Sequence, residues 1–134
     1  MSDKELNLDQ FEMFLDNFTD DVVDEVIVKT NEVAEDLLNA SQNLTSIDEG
    51  DLTASGSVTP ASRQGDKIVA SVGYTEEYAL KMHEDFYELG ERSKQKPSFD
   101  GMKVGRKYLE RPLKKYNDRY MDHIGSAYEV YDDD

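Results

Sequence analysis

At 134 residues, 37% hydrophobic and 34% charged, the chain suits one domain with an economical core. It has no Cys, which excludes disulfides, thiolate metal ligands and a thiol nucleophile. Its net charge of −15 argues against a chain that binds nucleic acid or anionic membrane with its whole surface. Met1–Glu5 is not the basic start of a secretory leader, and no apolar run is long enough to span a bilayer. The expectation is a soluble protein made and kept inside a cell, or assembled there into something larger.

The charge is unevenly spread. Residues 1–60 hold 15 acids against Lys4 and Lys29, a balance of −13, whereas residues 92–119 hold ten Lys or Arg against Asp100, Glu110 and Asp118, a balance of +7. Three causes fit: plain solubility, a salt-loving source, or head-to-tail association in which the acidic end of one copy meets the basic end of the next. Heterologous contacts of the last kind close into rings when the rotation permits.

The sequence predicts a long first helix. Asn7 or Asp9 can cap it, with Glu12 three residues after Asp9 as in a capping box. Phe11, Phe14, Leu15, Phe18, Val22, Val26, Val33, Leu37 and Leu44 then recur at three-and-four spacing over roughly nine turns of ~3.6 residues. Thr19-Asp20 offers a second cap, so a break near Thr19 stays open. Val23, Ile27 and Leu38 widen the stripe, while Glu12, Asp16, Asp20, Asp24, Glu35 and Asp36 lie mostly off it.

Glu49-Gly50-Asp51 reads as a turn. Leu52–Thr59 alternates as a strand, with Leu52, Ala54 and Val58 or their neighbours inward and Pro60 as its stop. Lys67–Val72 is the best strand of the chain, with Ile68, Ala70 and Val72 on one face. The two form an antiparallel hairpin whose edges are open to strand addition from another chain. Val72–Glu88 ends that strand and becomes a short helix after Gly73, with Tyr78, Met82 and Phe86 on one side. Residues 88–103, rich in Gly, Ser, Lys and Gln, read as a long loop without periodicity. A last helix follows Tyr108-Leu109, with Pro112 in its first turn and Leu113, Tyr116, Tyr120 and Ile124 as its apolar face. Gly125 weakens or ends it.

The expected class is α+β: a long N-terminal and a C-terminal helix packed on a small antiparallel hairpin sheet, with a short central helix. One domain covers 1–134, divided into an acidic helix (1–45), hairpin and short helix (46–90), basic loop (91–107), C-terminal helix (108–127) and acidic tail (128–134).

Recognisable catalytic chemistry is missing from the pattern. Gly101-Met-Lys-Val-Gly105 has neither the spacing nor the hydroxyl of a phosphate-cradling loop. His83 and His123 are the only histidines; His83-Glu84 lacks the second His of a zinc-protease helix, and His83 reads as a half-buried residue at a helix end. Ser55, Ser57 and Ser71 have no His near them in sequence. No cofactor, metal or enzymatic activity is expected. Lys94, Lys96, Lys103, Arg106, Lys107 and Arg111, interleaved with Phe99 and Tyr108, fit either a basic face for acidic protein or a nucleic-acid patch, and the overall charge favours the first.

Three segments, in order, resemble one family. Ile47-Asp-Glu-Gly-Asp-Leu-Thr-Ala-Ser55 is similar to an Asp-Thr-Gly-x-Leu-x-x-Ser segment that opens the first strand, with Glu49 in place of the usual Thr and without the usual preceding Pro. Tyr78-Ala-Leu-Lys-Met-His-Glu84 is similar to a Tyr-Ala-x-x-x-(His)-Glu helix, the His being optional, with a glycine-containing end to which Glu88-Leu89-Gly90 corresponds. Gly105-Arg-Lys-Tyr-Leu-Glu-Arg-Pro-Leu113 is similar to a Lys-(Phe/Tyr)-Leu-x-x-(Pro/Ala)-Leu lead-in to a last helix. The family is that of tail-completion or head–tail joining (neck) proteins of long-tailed, siphovirus-like phages and related viruses, often called minor capsid or tail components.

The resemblance implies a virion protein, made in host cytoplasm, that assembles with itself into a ring, expected six-fold. That ring would complete the tail and join it to the DNA-filled head. Its neighbours would be a head-completion or stopper protein and a tail terminator or tail tube. It implies no catalysis and no membrane, and allows a contact with channel DNA without sequence preference. Leu52, Ile68, Val72, Tyr78, Met82, Leu109 and Leu113 would be core. Asp20, Asp24 and Glu35 would face Arg92, Lys94, Lys96, Lys103, Arg106 and Lys107 of the adjacent subunit. A tail terminator that caps the tube is the nearest rival, and a small acidic regulator a more distant one.

Overall fold

A computed structural model describes residues 6–14, 20–47 and 51–132, with elements in the order β1 (Leu6–Phe14), α1 (Asp20–Gln42), a 3-10 turn (Thr53–Ser55), β2 (Gly56–Gln64), β3 (Lys67–Tyr74), α2 (Ala79–Glu84), α3 (Glu91–Lys94) and α4 (Glu110–Asp132). The protein is α+β. Its sheet has three strands in the order β1-β3-β2, with both pairings antiparallel. The long N-terminal helix packs against β2 and β3 and, on its other side, against the C-terminal helix.

The most apolar strand takes the centre. In β3 burial alternates from Lys67 to Val72, so Ile68, Ala70 and Val72 are buried and their neighbours half-exposed, as the pattern of two requires. Its link to β2 is a two-residue loop, Gly65-Asp66, between the paired Gln64 and Lys67. Gly65 alone has positive φ (67°), which fits a type II′ turn and the twist of the strands it joins.

Two strand expectations need correction. The predicted helix across Phe11 and Phe14 is instead β1: apolar residues there fall at Leu6 and Leu8, then at Phe11 and Met13, an alternation of two that changes phase once. The backbone register shifts between Asn7 and Asp9, a bulge that accommodates such a phase change. Leu15, Asp16, Phe18 and the Thr19 cap lie outside the described residues, as do Asp48, Glu49 and Gly50. Nor does Pro60 stop β2, which begins after the 3-10 turn, leaves Ala54 exposed, and runs on to Gln64. β2 is an edge strand, and Pro60 sits where the register jumps between Thr59 and Ser62, so its missing N–H breaks no ladder bond.

Beyond Asp20 the helix is as the spacing predicts. Val22, Val23, Val26, Val33, Ala34, Leu37 and Ala40 form one buried face, continued by Leu44 beyond the last turn. α4 crosses α1 antiparallel, since Tyr120 meets Asp36 while His123 meets Glu32. It does not end at Gly125. Ile124 and Ala127 on either side are buried against the core, and that packing outweighs the ~1 kcal/mol a helical glycine costs. The helix therefore absorbs Tyr128–Asp132, expected as tail; Asp133 and Asp134 lie outside the described residues.

A chain of rings welds the sheet to the lower half of the molecule. Buried Tyr74 on β3 meets Tyr108 edge-on at 5.1 Å, and Tyr108 meets His83 edge-on at 4.9 Å. Both phenols are satisfied: Tyr108 donates to the Ala79 carbonyl at 2.7 Å, and the Tyr74 hydroxyl lies 2.8 Å from Ser41 Oγ. Leu52, Ile68, Val72 and Leu109 are fully buried, with Tyr78, Met82 and Leu113 half-buried against them.

Candidate interaction surface

α2 is shorter than the apolar spacing predicts because its last carbonyls are claimed by the segment before α4. Lys107 N donates to His83 O at 2.7 Å, and Arg106 donates to Glu84 O through Nε (3.2 Å) and a terminal nitrogen (3.0 Å). Asp85 then turns extended, with ψ at 152°. Phe86 is consequently not on the buried side: it is 86% exposed, and its ring carries the Arg106 guanidinium at 4.0 Å.

His83 is fully buried rather than half-buried. Burial lowers its pKa, opposed in part by the Glu84 carboxylate, so the ring is neutral at pH 7. Its Nε2 faces the Glu110 amide at 3.5 Å, at the first turn of α4. Nδ1 lies 3.4 Å from Glu84 Oε1 without hydrogen-bond geometry. The histidine thus fills a core position between α2 and α4.

The basic loop is more ordered than its composition predicts. It contains the turn α3 and a bridge between Phe99 and Met102, with reciprocal backbone bonds of 2.8 and 2.9 Å. Asp100 and Gly101 between them both have positive φ (48° and 80°), the geometry that Asp-Gly supplies. The Tyr116 phenol and the Lys115 charge hold Asp100 below the usual carboxylate range.

Three of the six candidate cations work inside the fold. Lys96 donates to the carbonyls of Thr45 (2.8 Å) and Gln42 (3.3 Å) at the end of α1, and burial lowers its pKa. Arg106 closes α2. Lys107 bridges Glu84 and Glu110, the latter at 3.4 Å; the Glu84 bond lowers that carboxyl's pKa and raises the ammonium's. Arg111 joins them, donating to the carbonyls of Lys103, Arg106 and Gly105. The remaining three stay outside: Arg92 and Lys103 are exposed with no ion pair among the described residues, and exposed Lys94 pairs with its helix neighbour Glu91 at 3.8 Å. On the acidic side, Asp20, Asp24 and Glu35 are all exposed on α1.

The fold does not bring Asp20 or Asp24 to the basic set. Lys96 fixes the basic loop at the C-terminal end of α1. At ~1.5 Å per residue, Asp24 stands about 27 Å from that end, several screening lengths away.

Among the clefts that border these elements, a pair is relevant to association. One, of about 320 Å³, lies between α3 and the following turn, with Leu89 and Val104 as apolar lining and Ser93, Ser98, Lys94 and Lys103 as polar lining. The other, of about 450 Å³, lies between the long helices and is lined by Glu32, Val33, Asp36, Arg119, Tyr120 and His123. Its groups satisfy one another: Tyr120 donates to Asp36 Oδ2 at 2.6 Å, Arg119 pairs with the same oxygen at 3.6 Å, and His123 Nε2 lies 3.3 Å from Glu32. No described group of three His, Asp or Glu side chains is placed to hold a metal. The set fixes the helix crossing. The set is illegible in the sequence because one acid in a helix full of acids carries no signal of a partner 84 or 91 residues away.

Edge pairing, a second expected route to association, is blunted at β2. Pro60 offers no N–H, the register jumps beside it, and the Ala61 N–H donates to Asn31 Oδ1 at 2.7 Å. These are the devices by which natural edge strands resist strand addition.

The arrangement defines a class: a three-stranded antiparallel sheet backed by a long helix and clamped by a second, with its basic segment folded over the first helix's C-terminal end. Comparison with protein-family models, with curated proteins and with solved structures gives no match.

Proposed function

We propose that this chain is a structural virion protein of a tailed virus. It forms a ring at the neck or head-proximal end of the tail, completing the tail and joining it to the DNA-filled head without catalysis. The observation that carries the reading is the resemblance of three separated segments, together with how they meet. Leu52 of the first is buried in the core shared with the others. The second, Tyr78–Glu84, contains α2 and is bonded to the third through Tyr108 to Ala79 and Lys107 to His83. Sequence similarity that falls on one connected cluster is what a shared fold would produce.

The exposed charge supports self-association. Asp20 and Asp24 at one end of α1 and Arg92, Lys94 and Lys103 near the other are complementary, but too far apart to pair within one copy. The same three cations, facing a channel, would meet DNA backbone without reading its sequence.

The deciding experiment is electron microscopy of particles made with a stop codon early in this gene. DNA-filled heads beside free, full-length tails are expected. Tails of uncontrolled length would assign a terminator role, and intact infectious virions would overturn the neck reading in favour of a regulator.

A further inference from the structure

We propose that the cleft between Leu89 and Val104 is the seat for the N-terminal half of α1 from a second copy of this chain. This deepens the ring reading and rests on it. The cleft has an apolar floor flanked by cations: Leu89 and Val104 line it, with exposed Lys94 and Lys103 at its sides and hydroxyls from Ser93 and Ser98. The N-terminal half of α1 has the matching pattern. Asp20, Asp24 and Val28 recur every four residues, with Asp21 three before Asp24, so the four share one outward face.

Val28 is the informative residue. It is 49% exposed, an apolar side chain on a face otherwise made of carboxylates. Set into the cleft, its side chain would meet Leu89 and Val104 while the aspartates before it reached Lys94 or Lys103. Each component alone is ordinary; the coincidence of apolar centre and opposite charged flanks on two surfaces of one chain selects the occupant. Arg92 adds charge beside the cleft. Lys96, which also lines it, is committed to the end of α1 and holds the cleft in place.

The contact is heterologous, because seat and helix face are different patches at opposite ends of α1. It propagates from copy to copy and closes as a ring where the rotation allows. Lys94, Lys103, Asp20, Asp21, Asp24 and Val28 are all exposed, while the apolar floor that receives Val28 comes from Leu89 and Val104.

The chain has no cysteine, so single introduced thiols report the contact directly. Val28→Cys and Ser98→Cys proteins would be mixed under mild oxidation at low salt. The control is Val28→Cys with Ser62→Cys, an exposed site on β2. The seat predicts mixed disulfide at least ~10-fold faster than the control, with the advantage lost in Lys94→Glu/Lys103→Glu and at high salt. Restoration by Asp21→Lys/Asp24→Lys on the partner would tie the effect to those charges. Equal rates in both pairs, or no response to charge reversal, would overturn the proposal. Circular dichroism of each variant checks folding. Cross-linking from purified protein alongside intact virions in the stop-codon experiment would keep the seat and drop the neck; no cross-linking alongside free tails would do the reverse.

Discussion

The ammonium of Lys96 lies 2.8 Å from the carbonyl oxygen of Thr45 and 3.3 Å from that of Gln42, capping the C-terminal end of α1 from 51 and 54 residues further along the chain. The last carbonyls of a helix lack intrahelical donors and carry the negative end of its dipole, so a cation there is favourable. α1 has no basic residue in its own last turn. Lys96 supplies one from outside, and in doing so fixes where the basic segment sits.

Lys96→Ala should therefore cost about 1–2 kcal/mol of folding stability, the range for a partly solvated charge-assisted bond to backbone. Lys94→Ala, on an exposed side chain, should stay within ~0.5 kcal/mol. Urea unfolding of the two variants decides the matter: equal midpoints would show that Lys96 is a surface cation after all.

Acid should weaken the fold through His83. Its folded pKa is depressed by burial below the ordinary value of 6.5, so the unfolded chain binds a proton that the folded chain does not. The stability this contributes is present above the unfolded pKa and is lost as pH falls below ~6.5, by up to ~1.4 kcal/mol per pH unit. Tyr108, Glu84, Lys107 and Glu110 face the ring; Glu84 itself titrates below the window. Urea unfolding between pH 7.5 and pH 5 should show the slope in the parent protein, and His83→Gln should flatten it. A slope unchanged by that substitution would place the sensitivity elsewhere.

What the sequence revealed and what it hid follow from the range of each interaction. Alternation in Lys67–Val72 and the three-and-four stripe from Val22 to Leu37 are local, and both were legible. Phe11 and Phe14 misled because four-residue windows of an irregular strand match a helix equally well, and only pairing with β3 separates the two. Phe86 fits the helical spacing of Tyr78 and Met82, but Arg106 and Lys107 end that helix from twenty residues away. The charge asymmetry was visible as a sum. Which cations remain free was not, because Lys96, Arg106 and Lys107 find their partners only in three dimensions.

Gly56 should resist even alanine. A Cβ there would lie 2.8 Å from Tyr74 Cε1 and 2.9 Å from Leu38 Cδ1, and Tyr74 is buried with its hydroxyl held by Ser41. Leu38 is half-buried and can yield; the Tyr74 ring cannot without losing Ser41 or Tyr108. Gly56→Ala is expected to destabilise by about 1–3 kcal/mol by overpacking, despite the smaller entropy of its unfolded chain. Ser41→Ala should cost about 1–3 kcal/mol by stranding the phenol, and adding Tyr74→Phe should recover part of that loss. Thermal and urea unfolding of the four proteins test both statements; a double variant weaker than Ser41→Ala would contradict the second.

At Lys107 two effects oppose, and their magnitudes predict the ranking of substitutions. The residue has φ of 61°, a left-handed conformation that costs an ordinary L-residue roughly 1–2 kcal/mol and glycine almost nothing. Its ammonium meanwhile pairs with Glu84 and Glu110, side chains that are 39% and 38% exposed, where such pairs contribute about 0–1 kcal/mol each. Lys107→Gly removes the strain along with the ion pairs and should be close to neutral, within ~1 kcal/mol. Lys107→Ala loses the pairs and keeps the strain, so it should be less stable than the glycine variant by ~1 kcal/mol. Lys107→Val, β-branched at positive φ, should be the worst of the three. Urea unfolding at pH 7 in ~0.1 M salt gives the order directly, and alanine at or above glycine would mean that the connection relaxes out of the left-handed region when the lysine is removed.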